Sequence, residues 1–324
     1  MSNMDKIIEK LAGAIKQQVK GLEQVYVGGK EEILGVKGWL KTGILSIDWI
    51  LGGKGLPLGR AVECYGDFSS GKSWFGYRVL GQAQKQGMIA VLIETEGAFS
   101  PEFAKQVGVD TEKLLVVSPD AVEDVFKVIG ILFKENAGMP IVVVWDSIAA
   151  TSTYHELEEG MDKRDMSKAG RMGQGLRMIS GRINENGGML LAINQVRDLV
   201  GVMYGPKETT PGGRAMEFHS SVRLKFSKAG KILNDEKEVI GQKMRIECTK
   251  SKICAPFKQM ELEMVYGQEI KELDGVLSIL KKKGLVVDNR GWNTFVNDTE
   301  KWRDSQFEEA VKTEVGKNVL KQIL

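Results

Sequence analysis

The chain has 324 residues, 42% of them apolar and 27% charged, which is enough for one large hydrophobic core and a smaller unit. Its net charge of +2 excludes a uniformly basic nucleic-acid binder, so any basic surface must come from local clustering. Cys64, Cys248 and Cys254 form no CxxC pair and the histidines are only His155 and His219, which excludes a disulfide scaffold and argues against a zinc centre. No apolar run reaches the ~18–20 residues of a membrane span. Asp5 and Glu9 among the early lysines suit neither a signal nor a transit peptide, so a cytoplasmic protein with reduced thiols is expected.

Residues 5–20 set Ile8, Ala12, Ile15 and Val19 at helical spacing, an amphipathic helix whose stripe needs a surface to cover it. A polar stretch then separates it from the body of the chain. From residue 60 to about 265, short aliphatic runs at 60–65, 89–94, 114–117, 141–145, 189–193 and 221–226 alternate with helical patterns at 74–86, 101–106, 122–136 and 167–186. Near-continuous aliphatic runs are the mark of parallel strands buried on both faces, and the alternation implies βαβ units. After Gly267 the texture changes to a lysine-rich helical stretch at 274–283 and then polar sequence, read as a small α+β domain. The expected division is 1–32 for the helix and linker, 33–268 for the core and 269–324 for the small domain.

Residues 66–73 read Gly66-Asp67-Phe68-Ser69-Ser70-Gly71-Lys72-Ser73, a GxxxxGK[ST] phosphate loop with a strand before it and a helix after it. The glycines let backbone N–H groups wrap phosphates at the positive end of the following helix. Lys72 would reach the β- and γ-phosphates and Ser73 would ligate Mg²⁺, with ATP as the cofactor. Asp146 closes the run at 141–145 and stands where a second carboxylate would hold the metal's water shell. The strand after the phosphate-loop helix ends in Glu94-Thr95-Glu96, and either glutamate is placed to polarise an attacking water.

At this point the chain resembles the bacterial RecA family of recombinases, over nearly its whole length. The resemblance is carried by residues 66–73, 93–101 (IETEGAFSP), 141–150 (IVVVWDSIAA), Asn194-Gln195, 201–218 (GVMYGPKETTPGGRAMEF) and 250–259 (KSKICAPFKQ). It implies a RecA-type P-loop ATPase core of α/β class, with a mainly parallel twisted sheet, an N-terminal polymerisation helix and a small C-terminal α+β domain. It assigns the catalytic carboxylate to Glu96 and γ-phosphate sensing to Gln195. Phe103 would stack on adenine, with Tyr266 and Gly267 near the base. Lys250 and Lys252 would reach across a subunit interface to the neighbour's γ-phosphate.

The long segment 196–214 would be the second of two DNA-binding loops, with Gly212 and Gly213 offering N–H groups to phosphates, Arg197 and Arg214 offering charge, and Val200 acting as an apolar wedge. The first loop, 158–166, ends at Met166 and leads into a helix bearing Arg171 and Arg177. Lys225, Lys228 and Arg245, and the run Lys281-Lys282-Lys283 with Arg290, are further basic candidates for duplex DNA, though Glu247 interrupts the first group. The implied partners are single-stranded DNA, homologous double-stranded DNA and further copies of the chain in a head-to-tail helical filament, with no membrane. The chain departs from the family pattern at Ser100, where an acidic residue near adenine is usual, at Asp198 and at Pro211. It also lacks the strongly acidic tail expected to restrain duplex binding. The rival reading is a ring helicase motor or a regulatory ATP-binding module on the same fold.

Overall fold

The computed structural model describes residues 3–18, 35–135, 138–159, 167–198 and 208–323. Helix α1 (Asn3–Gln18) carries Ile7, Ile8, Leu11 and Ile15 exposed along its length, so the predicted helix is present with its apolar stripe in solvent. Val19 lies outside the described residues.

The core is an eight-stranded sheet. Its strands are β1 (Arg60–Gly66), β2 (Ile89–Glu94), β3 (Leu114–Val117), β4 (Ile141–Asp146), β5 (Met189–Gln195), β6 (Val222–Leu233), β7 (Val239–Ser251) and β8 (Gln259–Val265). They lie in the order β8-β7-β6-β1-β5-β4-β2-β3. Strands β6, β1, β5, β4, β2 and β3 are mutually parallel, and β7 and β8 extend the sheet by antiparallel pairing. The six predicted strands are all present. Strand β6 runs past Phe226 to Leu233, and β7 and β8 were not singled out in the sequence.

Alternation along each central strand feeds two separate layers. Val142 and Val144 face helix α2 (Lys72–Lys85), packing with Phe75, Val79 and Leu80. Val143 and Trp145 face α4 (Val122–Lys134) and α5 (Lys168–Asn186), which contribute Val125, Ile129, Leu176 and Ile179. The short helix α3 (Pro101–Gln106) precedes α4 in the chain. Burying each such aliphatic side chain stabilises by about 1.5–3 kcal/mol, so these two layers carry most of the cohesion. The α2-side layer continues into the C-terminal residues through Val276, Leu280, Phe295 and Trp302, so that part is sealed onto the body by apolar contact.

The chain leaves β1 through α2 and returns to the sheet at β2, passing over β5 and β4. That crossover opens a crevice at the carboxyl ends of β1, β5 and β4, where ligands bind in sheets of this type. Among the described residues no helix is long and apolar enough to cross a membrane.

Candidate functional site

The turn after β1 is built for close backbone approach. A side chain on Gly66 (φ 150°) would meet the Phe226 carbonyl oxygen at 1.9 Å, and one on Gly71 (φ 93°) would meet Met244 Sδ at 2.1 Å. Ser70 Oγ donates to the Asp67 carbonyl at 2.8 Å and steadies the loop. Lys72 Nζ donates to the carbonyls of Gly66 at 3.1 Å and Asp67 at 2.5 Å, so the ammonium is held inside the loop that is to receive phosphates. Burial pulls the Lys72 ammonium down, while Asp146 and Glu96 nearby hold it up.

Asp146 ends β4 level with Glu94 on β2. Burial pushes its carboxyl up to about 6; Glu96 and Glu94 push the same way, and a hydrogen bond from Ser73 and the charge of Lys72 oppose them. A buried carboxylate beside a hydroxyl at the head of α2 is a hard oxygen pair suited to Mg²⁺, and the nest of N–H groups beside it suits polyphosphate. Chain and cofactor therefore fit.

The structure separates the two glutamates that the sequence left open. The Glu94 carboxylate is buried and accepts from the backbone N–H groups of Glu96 (2.9 Å), Gly97 (3.1 Å) and Ala98 (3.1 Å), so it shapes the turn. Glu96 is exposed, and its Oε1 accepts from Ser147 Oγ at 2.5 Å and from Gln195 Nε2 at 3.1 Å. Gln195 lies level with Gly66 across β5 and β1. The phosphate loop, Glu96 and Gln195 thus meet at one point of the crevice.

The base-side residues also converge. Phe103, Tyr266 and Gly267 line one cavity of 470 Å³ that opens beside the start of α2. The edge of Tyr77 holds the Phe103 ring at 5.7 Å. Trp74 and Arg78 line the same cavity and were missed, although they follow Ser73 at positions one helical turn apart. Arg78 is fixed by the carbonyls of Thr42 (3.2 Å) and Gly43 (3.0 Å). Ser100 caps α3 by accepting from the Phe103 N–H at 3.2 Å.

From Gln195 the chain runs directly into the long loop. Arg197–Asp198 pairs antiparallel with Glu208–Thr209, forming its stem. Asn194 Nδ2 donates to the Pro211 carbonyl and to Glu63 Oε1, each at 3.1 Å, tying the far side of the loop to β5. Gly212 and Gly213 both have positive φ, and a side chain on Gly213 would meet Ala169 of α5 at 2.9 Å. Arg197 and Arg214 are exposed here, as are Arg171, which sits 3.4 Å from Glu123, and Arg177 on α5. Met166 and Val200 lie outside the described residues.

Lys250 and Lys252 are not at this chain's own phosphate loop. Register puts Lys250 opposite Arg223, itself level with Glu63 in the middle of β1, back along the strand from the loop that follows Gly66. Both amines donate to carbonyls at the end of helix α6 (Ala215–His219): Lys250 to Glu217 and Phe218, Lys252 to Phe218 at 3.5 Å. Several of the further basic candidates are already paired: Lys225 with Glu208 (2.6 Å), Arg245 with Glu261 (2.8 Å), and Lys281 with Asp288 (2.8 Å) and Asp304 (3.0 Å).

A glycine-rich GxxxxGK[ST] turn at the switch point of a doubly wound sheet, with a buried carboxylate at the end of a neighbouring strand, is the architecture of a P-loop ATPase. Among known proteins, the family model described as the RecA N-terminal domain matches residues 6–271. The chain is 36% identical over 275 residues to Protein RecA of Chloroherpeton thalassium, covering 85% of this chain and 75% of that protein. It is 39% identical over 254 residues to Protein RecA of Zymomonas mobilis, covering 78% of this chain and 71% of that one. The crystal structure of the RadB recombinase superposes with a TM-score of 0.54 at 20% identity, over 72% of this chain and 100% of that chain, a likeness of fold. The chain belongs to the RecA family. It is a DNA-dependent ATPase, a recombinase of DNA recombination and repair.

Proposed function

We propose that the chain hydrolyses ATP with Mg²⁺ at the crevice, polymerises head-to-tail on single-stranded DNA, and pairs that strand with a homologous duplex. The observation that carries this reading is the double hydrogen bond to Glu96 from Ser147 and Gln195. One donor fixes the carboxylate for water, and the other ties it to the strand from which the DNA loop hangs.

Lys72 supplies positive charge to the β- and γ-phosphates, exchanging its own loop's carbonyls for theirs. Ser73 and Asp146 would hold Mg²⁺, and the ion would neutralise charge along the phosphates. Glu96 orients and polarises the attacking water. Gln195, bonded to that carboxylate, shifts with the state of the site, and Asn194 passes the shift to Pro211 and the loop. Arg197, Arg214 and the N–H groups of Gly212 and Gly213 bind the DNA backbone, so binding is largely independent of base sequence and weakens with salt. Phe103, Trp74 and Tyr266 enclose the adenine. Lys250 and Lys252 act in the neighbouring subunit's site, and α1 covers a neighbour's surface.

The test pairs circular single-stranded DNA with homologous linear duplex in the presence of ATP and Mg²⁺. Joint molecules should form with the native chain and be absent for Lys72→Ala or after metal chelation. DNA-stimulated ATP turnover without joint molecules would favour the motor reading instead.

A further inference from the structure

The chain on either side of residues 160–166 leans on the start of α4. On the entering side, Ala121 bridges to Ser152 and the Val122 N–H donates to the Ser152 carbonyl at 2.8 Å, which sets the short helix Tyr154–Glu159 beside α4. Tyr154 is then held at both ends. Its N–H donates to Glu123 Oε2 at 3.2 Å, while its hydroxyl donates to Asp124 Oδ1 and accepts from Lys127 Nζ at 2.8 Å. On the leaving side, Lys168 Nζ donates to the Thr151 carbonyl at 2.5 Å, and Arg171 Nε lies 3.4 Å from Glu123 Oε1. One carboxylate therefore serves both sides, one oxygen to each.

Arg171 is held at one corner of its guanidinium. Nε faces Glu123, and among the described residues the two Nη groups have no partner. Those two groups are the fork that takes two oxygens of a phosphate. The Arg171 side chain is 53% exposed, whereas that of Glu123 is 18% exposed, so the anchor is covered and the fork is open. On α5, Arg171 stands between Ala169 and Met172, against which the second loop packs. A side chain on Gly213 would meet Ala169 Cβ at 2.9 Å, and one on Gly212 would meet Met172 Cγ at 3.0 Å. Arg171 and the two glycines thus share one turn of α5.

We infer that Glu123 is a positioning residue for DNA binding: it fixes the Arg171 guanidinium so that its open edge meets the DNA backbone beside Gly212 and Gly213. The inference rests on the reading of Arg171 and these glycines as DNA contacts. Two effects of the carboxylate oppose each other. An exposed ion pair favours the held geometry by up to about fivefold. A phosphate beyond the guanidinium would lie about 7 Å from the carboxylate, where repulsion in water and physiological salt costs less than about twofold. Positioning wins, and the factor multiplies over the copies that share one strand.

The experiment measures anisotropy of a labelled oligo(dT) strand bound by the full-length protein, with Mg²⁺ and a non-hydrolysable ATP analogue. Glu123→Gln keeps an acceptor for the Tyr154 N–H and removes the charge; it should weaken binding by about two- to fivefold, with analogue binding unchanged in the absence of DNA. Arg171→Ala should weaken binding at least as much. The double variant should match Arg171→Ala, because Glu123 acts only through the guanidinium. A further loss in the double variant, or loss of analogue binding in Glu123→Gln, would make the glutamate a folding residue and overturn the inference. Unchanged or tighter DNA binding by Glu123→Gln, with Arg171→Ala weakened, overturns it too, the tighter case showing that the carboxylate competes with DNA. If Arg171→Ala binds like the native chain, the reading of Arg171 as a DNA contact has failed instead, and the inference falls with it.

Discussion

Alternation along a strand puts residues i and i+2 on one face, so Glu94 and Glu96 would be equivalent if β2 continued. It ends at Glu94, and the chain turns back over that residue's carboxylate, which gathers three backbone N–H groups. Hydrogen bonds to a charged acceptor contribute about 1.5–3 kcal/mol each, so Glu94→Gln should disorder the turn and weaken both nucleotide binding and turnover. Glu96→Gln keeps shape and hydrogen-bonding capacity while removing the charge. Equilibrium ATP binding should survive, and turnover should drop on the order of 10²–10⁴-fold, giving long-lived complexes on DNA. Parallel binding and single-turnover measurements on the two variants check this, and loss of ATP binding in Glu96→Gln would reverse the assignment. The same scale shows where reading the sequence stops. Lys72, Ser73 and Asp146 were legible because phosphate and metal chemistry fixes their types and spacing. Trp74 and Arg78 were not, because a base cavity accepts many residue types and the phosphate-loop pattern ends at Ser73.

Strands β1, β5 and β6 are joined through a buried ionic knot. Glu63 is fully buried and accepts from Arg223 Nε at 2.6 Å and from Asn194 at 3.1 Å. Arg223 stacks over the Tyr65 ring at 4.3 Å, and Tyr65 in turn donates to Thr249 Oγ1 at 3.0 Å. Burial pushes the Glu63 carboxyl up, and Arg223 followed by Asn194 holds it down, so the pair stands or falls together. Arg223→Met leaves an uncompensated buried carboxylate and should destabilise by about 3–5 kcal/mol. Adding Glu63→Gln should restore most of that loss. Urea midpoints of the single and double variants decide it; additive losses would mean the two residues act independently. Elements buried on both faces, such as 141–145 and 189–193, announced themselves as aliphatic runs. Strands β7 and β8 did not, because they mix polar positions with buried ones, as in Lys243, Met244, Arg245 and Ile246. The ion pairs of Lys225 and Arg245 were hidden for a related reason: their partners Glu208 and Glu261 come from other strands, and no spacing rule reveals a cross-strand carboxylate.

At the scale of the molecule, two features of one chain suit the neighbouring copy proposed above. Helix α1 holds Ile7, Ile8, Leu11 and Ile15 in solvent, where covering each would stabilise by about 1.5–3 kcal/mol. Lys250 and Lys252 rest on the carbonyls of Glu217 and Phe218, far along the chain from the phosphates they would serve. A heterologous contact repeated along an open helix would satisfy both, since each copy would then cover one neighbour and complete the site of the next. Charge developing on the phosphoryl oxygens needs a cation beside it, and a cation drawn from the adjacent copy makes turnover conditional on assembly. On this proposal DNA, by ordering the assembly, would switch hydrolysis on without touching the nucleotide. Mixing distinguishes this from two solvated lysines. A Lys250→Ala/Lys252→Ala chain keeps its phosphate loop, and a Lys72→Ala chain keeps its lysines. Each alone on single-stranded DNA should be inactive. Mixed filaments place an intact loop beside intact lysines at some junctions, so ATP turnover should reappear and peak near equal proportions. Co-assembly shown by sedimentation without recovered turnover would place the lysines outside the reaction, and full activity of the double-lysine variant by itself would do so directly.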